Sequence, residues 1–375
     1  MSAILPGIQS AESIHALAQA GIVTFATPPV AGQVQPASLD LRLGRRAWRV
    51  RASFLPGQNA DVASRLNTLA LHEIDLTRGA VFESGCVYIA ELQESVALPQ
   101  GLSASCNPKS STGRLDVFTR VITDRSREFD AVEAGYRGAL YAEISPRTFP
   151  VLVRTGSRLS QIRFRAGASR LSDTELAVLH QAEQVVVGGG ISIQGGVAVS
   201  VDLAGFDGGG GQRLVGYRAK RHTGLVDVDR VDAYAVSDFW EPLAADGRGQ
   251  LILDPGQFYI LASKEAVHVP PDFAAEMVPF DPLVGEFRVH YAGFFDPGFG
   301  HAAAGGAGAR AVLEVRSRDV PFLIEDGQIV GRLVYERMAQ RPHTLYGADA
   351  GSNYQAQGLK LSKHFHSVTL PAAAI

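Results

Sequence analysis

A repeat held in one register constrains this chain more than any other feature of it. Gly85-Cys86-Val87-Tyr88-Ile89 returns as Gly256-Gln257-Phe258-Tyr259-Ile260, an offset of 171 (256 − 85). The same offset pairs Glu94 with Glu265, Val96 with Val267, Pro99 with Pro270, Glu143 with Glu314 and Gly156 with Gly327. Nearer the start, Ser38-Leu39-Asp40-Leu41 answers Ser200-Val201-Asp202-Leu203 at an offset of 162, so the second copy carries nine extra residues (171 − 162) before Gly256. A chain of 375 residues has room for two domains of ordinary size. The repeat reads as one domain used twice, a first copy over 1–170, a linker helix region over 171–184 and a second copy over 185–375 with a C-terminal tail.

Each copy reads as mostly β. Forty glycines and nineteen prolines punctuate short runs rich in Val, Ile, Leu, Phe and Tyr. In the first copy the strand candidates are Leu39–Leu43, Trp48–Ala52, Cys86–Leu92, Val117–Ile122, Ala139–Ile144, Pro150–Val153 and Leu159–Phe164. Two helices stand out. Ser10 caps one that runs through Ala18 to a stop at Gly21, and Ser172 with Glu175 has capping-box spacing before Leu176–Leu179. Hydrophobic residues at 46% and charged residues at 19% exclude global disorder. A net charge of −3 lacks the basic excess of a nucleic-acid surface, so no nucleic acid is expected as a partner. The two cysteines, Cys86 and Cys106, form neither a CxxC pair nor a Cys/His set, which argues against structural zinc and suits a reducing cytoplasm. The start of the chain does not read as a secretion signal and no run of about 18 apolar residues occurs, so no membrane partner is expected.

Four stretches could carry chemistry. Asn107-Pro108-Lys109-Ser110-Ser111-Thr112-Gly113-Arg114 sets a Lys, three hydroxyls and an Arg between strands, either as a phosphate-binding loop or as ordinary turn chemistry. Gly135-Tyr136-Arg137-Gly138-Ala139-Leu140-Tyr141-Ala142-Glu143-Ile144 leads an aromatic residue into a strand. Alternation puts Leu140, Ala142 and Ile144 on one face and Glu143 on the other. Glu143 is then a solvated edge residue or a partly buried base, and spacing alone favours the solvated one. Ala292–Gly300 contains Asp296-Pro297-Gly298-Phe299, a tight-turn sequence, before the strand that holds Glu314. The segment from Tyr346 to Gly358 is polar and Gly-dotted, and could fold over a nucleotide or stay loose. His364-Phe365-His366 has no third ligand in view and reads as surface. Gly208–Gly211 lacks the Gly-Lys-Ser/Thr ending of a P-loop and Ala302–Gly308 is a small-residue insert, so both read as mobile loops.

Taken in order, these segments resemble the dCTP deaminase/dUTPase superfamily, and more closely its dCTP deaminases. The resemblance rests on Gln35–Gly44, Glu94–Pro99, Lys109–Arg114, Gly135–Glu143, Gly156–Phe164 and the Tyr354/Gln357 tail. It implies a distorted, jelly-roll-like β-barrel that trimerises, giving a homo-oligomer, with nucleotide sites built between neighbouring domains. It implies hydrolytic deamination of dCTP to dUTP and ammonia, with Mg2+ on the triphosphate, no zinc, and dTTP as a candidate inhibitor. Neither His-x-Glu nor Pro-Cys-x-x-Cys of the zinc deaminases is present. On the matching positions Glu143 would be the general base, Ser110 would position the water and Arg114 would stand beside the developing charge. Lys109, Ser111, Asp130, Tyr136, Gln161, Asp296, Tyr354 and Gln357 would bind the nucleotide.

Each copy departs from the family pattern. The family usually has Arg where Lys109 stands, and the Asp-Pro-Gly-aromatic turn is stretched in the first copy to Asp130–Tyr136. In the second copy that turn is intact, but at the shared offset Asp281-Pro282-Leu283-Val284-Gly285 replaces Ser-Ser-x-x-Arg. Two arrangements follow. In the simpler one, taken here as the expectation, first-copy domains supply Ser110, Arg114 and Glu143, and the second copy lends its tail. In the composite one, the Ser110/Arg114 loop faces the Asp296/Glu314 hairpin of a second-copy domain, with Glu314 as the alternative base. Rival functions are a dUTP diphosphatase, a bifunctional deaminase/diphosphatase, and an inactive nucleotide-sensing protein.

Overall fold

The computed structural model describes residues 4–187, 190–207, 213–279, 287–289, 293–347, 354–355 and 357–366, with backbone alone for 279 and 287–289. The chain packs as two compact units. The first comprises Met1–Ser169, Gly224–Val231 and Met338–Thr344, and the second Arg170–Thr223, Asp232–Arg337 and Leu345–Ile375.

The first unit is a nearly closed β-barrel. Its long strands are β1 (Ser38–Val50), β2 (Val87–Ala97), β3 (Leu102–Pro108), β4 (Val117–Thr123), β5 (Arg137–Pro146) and β6 (Arg158–Ala166). In the sheet they lie in the order β3-β6-β1-β2-β5-β4, with Ala131–Val132 outside β3. Strands β1, β2, β4, β5 and β6 each overlap one or two of the sequence candidates, Trp48–Ala52 running two residues past β1 and Cys86–Leu92 starting one before β2, and β3 was missed because its Ser-Ala-Ser-Cys-Asn run lacks branched apolar residues. Alternation works as expected on β5, where Leu140, Ala142 and Ile144 all point into the core. One residue closes the barrel. The Asp130 carbonyl accepts from Cys106 N–H at 2.8 Å, its own N–H donates to Val121 O at 2.9 Å, and its carboxylate accepts from Val121 N–H at 2.7 Å. Asp130 thus joins β3 to β4, at a φ of 61° that Asp tolerates better than most residues.

Helix α1 (Ala11–Gln19) is capped by Ser10, as the sequence predicts. Helix α2 (Val62–Leu69) was not expected. Its signal was Asp61, whose carboxylate accepts from Ser64 N–H at 2.7 Å, and it buries Val62 and Leu66. A short helix, α3 (Ser110–Gly113), follows β3. The 224–231 segment belongs to this unit because Val226–Asp227 runs parallel to Val151–Val153 and Arg154 forms ion pairs with Asp227 at 2.8 Å and Asp229 at 2.5 Å.

The second unit repeats the strand plan at the predicted offset. Its main strands are β7 (Val197–Ser200), β8 (Arg213–Ala219), β9 (Phe258–Val267), β10 (Phe273–Pro279), β11 (Ala309–Ser317) and β12 (Ile329–Arg337). The pairing register repeats as well. Glu143 stands opposite Ile89 and Glu314 opposite Ile260, while Phe164 faces Ala104 and Tyr335 faces Ala275. The core is built from Val199, Leu261, Leu313, Leu333 and Tyr335. Helix α4 (Asp173–Ala182) opens this unit with the full Ser172/Glu175 capping box. Among the described residues no helix is long and apolar enough to cross a membrane.

Candidate functional site

In the first unit β3 ends at Pro108 and the chain turns at once into α3. Lys109 N–H donates to Leu159 O at 2.9 Å, and the Lys109 carbonyl accepts from Thr112 N–H at 2.8 Å and Gly113 N–H at 3.0 Å. This fixes Ser110, Ser111 and Arg114 on one turn beside β6; Ser111 and Arg114 are buried and Ser110 half-buried. Lys109 is not free to swing, since its Nζ lies 2.5 Å from Asp40 Oδ1, and Arg158 lies 3.3 Å from the other Asp40 oxygen. Gln161, paired in register with Asp40 and Asn107, accepts from Ser38 Oγ at 3.3 Å. The structure therefore gathers Lys109, Ser110, Ser111, Arg114 and Gln161 around a cationic, hydroxyl-rich turn. That composition suits phosphate oxygens.

Glu143 corrects the solvated reading: it is 2% exposed. Burial is compensated by Arg120, its cross-strand neighbour on β4, whose Nη2 lies 2.5 Å from Glu143 Oε1 and whose Nε lies 3.2 Å from the same oxygen. The guanidinium is itself held between rings, 3.6 Å from the Phe129 centroid and 4.9 Å from that of Phe118. The face that carries Glu143 also carries Ile89, Ile122 and Tyr141. Val62 and Leu66 of α2 pack onto it together with Phe54 and Phe129. No hydrogen bond joins Glu143 to Ser110, Ser111 or Arg114, and Oε2 has no hydrogen-bond partner among the described residues.

Tyr136 bridges the neighbouring hairpin, donating to Ala139 O at 2.6 Å and accepting from Asp124 N–H at 3.3 Å; burial pushes its hydroxyl up to about 12. It lines a polar cavity of about 640 Å³ with Asp61, Asp124, Arg125, Arg127 and Arg137, and Glu143 is not part of that lining. Asp130, expected on the nucleotide, has a carboxylate oxygen engaged by Val121 N–H in the barrel seam.

In the second unit Asp296 opens a tight turn. Phe299 N–H donates to Asp296 O at 3.1 Å, and Gly298 at φ 96° with Pro297 before it has the Pro-Gly chemistry of a type II turn. Asp296 and Glu314 are buried, at 6% and 5% exposure. Tyr354 is buried and its hydroxyl accepts from Lys363 N–H at 3.1 Å, while Gln357 donates to Arg310 O at 3.0 Å. Its Oε1 has no hydrogen-bond partner among the described residues. The described residues of the tail are held by contacts within the second unit. Phe365 packs against Trp240, Phe239 and Tyr234 at ring distances of 5.8, 5.3 and 6.4 Å. His364 is a second correction: it is 2% exposed, with Nδ1 2.8 Å from Ser362 Oγ. The Asp281–Gly285 stretch, Gly208–Gly211 and residues 348–353 lie outside the described residues.

Sequence reasoning missed three side chains of consequence. Asp40 had a signal, as the acidic member of the repeated Ser-x-Asp-Leu motif. Arg120 is two residues beyond Phe118 on a recognised strand, yet its partner is 23 positions away and only the pairing register reveals it. Gln355 was overlooked between Tyr354 and Gln357. Among the described residues, no three His, Cys, Asp or Glu side chains are grouped to hold a metal ion.

Comparison with known proteins places these features in a family. The model of the 2′-deoxycytidine 5′-triphosphate deaminase (DCD) N-terminal domain matches residues 5–168, and that of the C-terminal domain matches residues 172–365. The crystal structure of 2′-deoxycytidine 5′-triphosphate deaminase from Agrobacterium tumefaciens shares 61% sequence identity at a TM-score of 0.85, over 89% of this chain and 99% of that one. A dCTP deaminase of Halorubrum lacusprofundi is 29% identical over 160 residues, 42% of this chain and 75% of its own. A "dCTP deaminase, dUMP-forming" of Halobacterium salinarum is 32% identical over 133 residues, 34% of this chain and 61% of its own.

Proposed function

The chain belongs to the 2′-deoxycytidine 5′-triphosphate deaminase family, a family of hydrolytic deaminases, and from that premise we propose that it converts magnesium-bound dCTP to dUTP and ammonia without zinc, using a glutamate as general base. Water must attack C4 of an aromatic ring at neutral pH. As the C4–O bond forms, the glutamate takes a proton from the water and delivers it to N3. The tetrahedral centre then loses the amino group: the hydroxyl proton passes through the same carboxylate to the nitrogen, the C4–N bond breaks, and ammonia leaves as the C4 carbonyl forms. Ser110 orders the water, Arg114 stabilises the charge that develops, and Lys109 and Ser111 serve the phosphates. The magnesium travels with the triphosphate as part of the substrate.

The base in this proposal is Glu314. One observation carries the choice: the other candidate, Glu143, is tied to Arg120 through Oε1, and α2 and Phe129 pack onto its face neighbours Ile89 and Ile122. Such a carboxylate is built into the barrel wall. Glu314 holds the same register position in the copy that retains the intact Asp296–Phe299 turn.

The test uses the full chain after zinc chelation, with dCTP and magnesium supplied. Ammonia and dUTP in equal amounts are expected. Release of dUMP and pyrophosphate would establish instead the bifunctional reaction, which the "dUMP-forming" names of several relatives favour. No ammonia at all sinks the deaminase reading. Inhibition by dTTP and assembly into trimers belong to the same proposal, and inhibition kinetics and light scattering test them.

A further inference from the structure

The Asp296 turn is held by a side chain from the C-terminal segment. Gln355 Oε1 accepts from Gly300 N–H at 3.0 Å, and its Nε2 donates to Gly298 O at 3.1 Å and to Ala304 O at 3.2 Å. A backbone strut runs parallel to it, Tyr346 N–H donating to Pro297 O at 2.8 Å. The segment so held, Gly298-Phe299-Gly300-His301-Ala302-Ala303-Ala304-Gly305-Gly306, offers only His301 as a polar side chain for fixing itself. A short stretch of alanine and glycine has high backbone entropy to lose, so one amide that satisfies three backbone groups has unusual leverage on its shape.

We propose that Gln355 is a positioning residue for deamination: by gripping Gly298, Gly300 and Ala304 it holds the turn that presents Asp296 to the substrate. The inference rests on the reading of Asp296 as a nucleotide-binding residue. The amide is the one neutral group of this size that both accepts and donates here. An ionised carboxylate can still accept from Gly300 but repels the two carbonyls, whereas a protonated carboxyl regains a donor. The clamp acts on binding geometry and not on the proton transfers. Its loss therefore falls mainly on KM.

Full-length Gln355→Ala and Gln355→Glu variants test this by two readouts, hydrogen exchange over the 298–306 segment and dCTP kinetics from neutral pH down to about pH 5. At neutral pH both variants should exchange Gly300 N–H at least about tenfold faster and raise KM about tenfold, with kcat within about threefold of the parent. In Gln355→Glu both effects should recede as the pH falls and the carboxyl protonates, while Gln355→Ala should stay impaired. Unchanged exchange in Gln355→Ala overturns the clamp. Faster exchange with unchanged KM, or the absence of recovery in Gln355→Glu at low pH, overturns its role in positioning. If the parent enzyme itself leaves dCTP untouched, the deaminase reading fails, and the exchange measurement still judges the clamp.

Discussion

Replacing each glutamate in turn by glutamine tests which of the two carboxylates is the base. In Glu143→Gln the charge opposite Arg120 is lost, but a carbonyl oxygen remains to accept from the guanidinium. Removing one partner of a fully buried ion pair costs about 3–5 kcal/mol. Here Arg120 keeps 26% side-chain exposure against 2% for Glu143 and retains its stacking on Phe129 and Phe118, so much of its charge can be resolvated. That discount brings the expected loss to about 1–2 kcal/mol, or a Tm lower by about 3–6 °C at the few degrees per kcal/mol typical of a unit this size. Turnover of dCTP should stay within about threefold of the parent. In Glu314→Gln the pattern inverts: kcat should fall by about 10²–10⁴, the contribution of a positioned general base. Calorimetry and a continuous ammonia assay on both purified variants give the four numbers needed. Loss of turnover in Glu143→Gln with Tm unchanged, alongside an active Glu314→Gln, would refute the reasoning and restore Glu143 as the base.

Three further outcomes follow from individual contacts. Asp130→Asn should keep the barrel seam, because an amide oxygen can accept from Val121 N–H and Asn tolerates φ 61°, whereas Asp130→Ala should lower stability by about 1–3 kcal/mol in urea titration. Gly298→Ala should weaken dCTP binding more than it slows chemistry, since the added Cβ would lie 2.8 Å from Leu345 Cβ at a φ of 96°; a KM equal to the parent's would speak against the turn as a substrate contact. His268 is held below the usual histidine range, first by burial and then by the neighbouring His301, against a smaller opposing pull from Glu183. As pH falls through about 6.5, the unfolded chain takes up a proton that folded His268 resists, so its contribution to stability is present above that pH and lost below it. His268→Gln should flatten the urea midpoint between about pH 7 and pH 5.5, and an unaltered slope would show that this ring does not titrate with unfolding.

The strand plan was legible because it depends on local pattern and on register, both of which a repeat displays twice. Offset 171 carries over to β2 and β9, β3 and β10, and β6 and β12, and the strand opposite each glutamate begins with the predicted Val-Tyr-Ile or Phe-Tyr-Ile run. The loop at Lys109–Arg114 was legible for a similar reason, since six consecutive residues carry its chemistry. What the sequence hid was long-range pairing. Nothing near Lys109 announces Asp40, 69 positions away, nor does anything near Glu143 announce Arg120 or the cover supplied by α2. Gln355 was obscured by its neighbours, whose aromatic and amide side chains drew the substrate-binding role.

The two glutamates show why a motif match assigns a position and not a role. Glu143 and Glu314 occupy the same place in the same pairing scheme, both nearly excluded from solvent. A general base must exchange protons with water and substrate, and the proposal takes Glu143 as structural because it is buried with one oxygen fixed on a stacked guanidinium. In the first copy Phe54, Val62, Leu66 and Phe129, none of which belongs to the repeated motif segments, pack with Ile89 and Ile122 on the face that carries Glu143. The second copy builds the Asp296 turn and the clamp from Gln355. In the proposed assignment, identical registers serve different chemistry through what is packed on the strand. The Glu143→Gln and Glu314→Gln pair therefore tests environment against position, with the residue type, the strand and the register held constant.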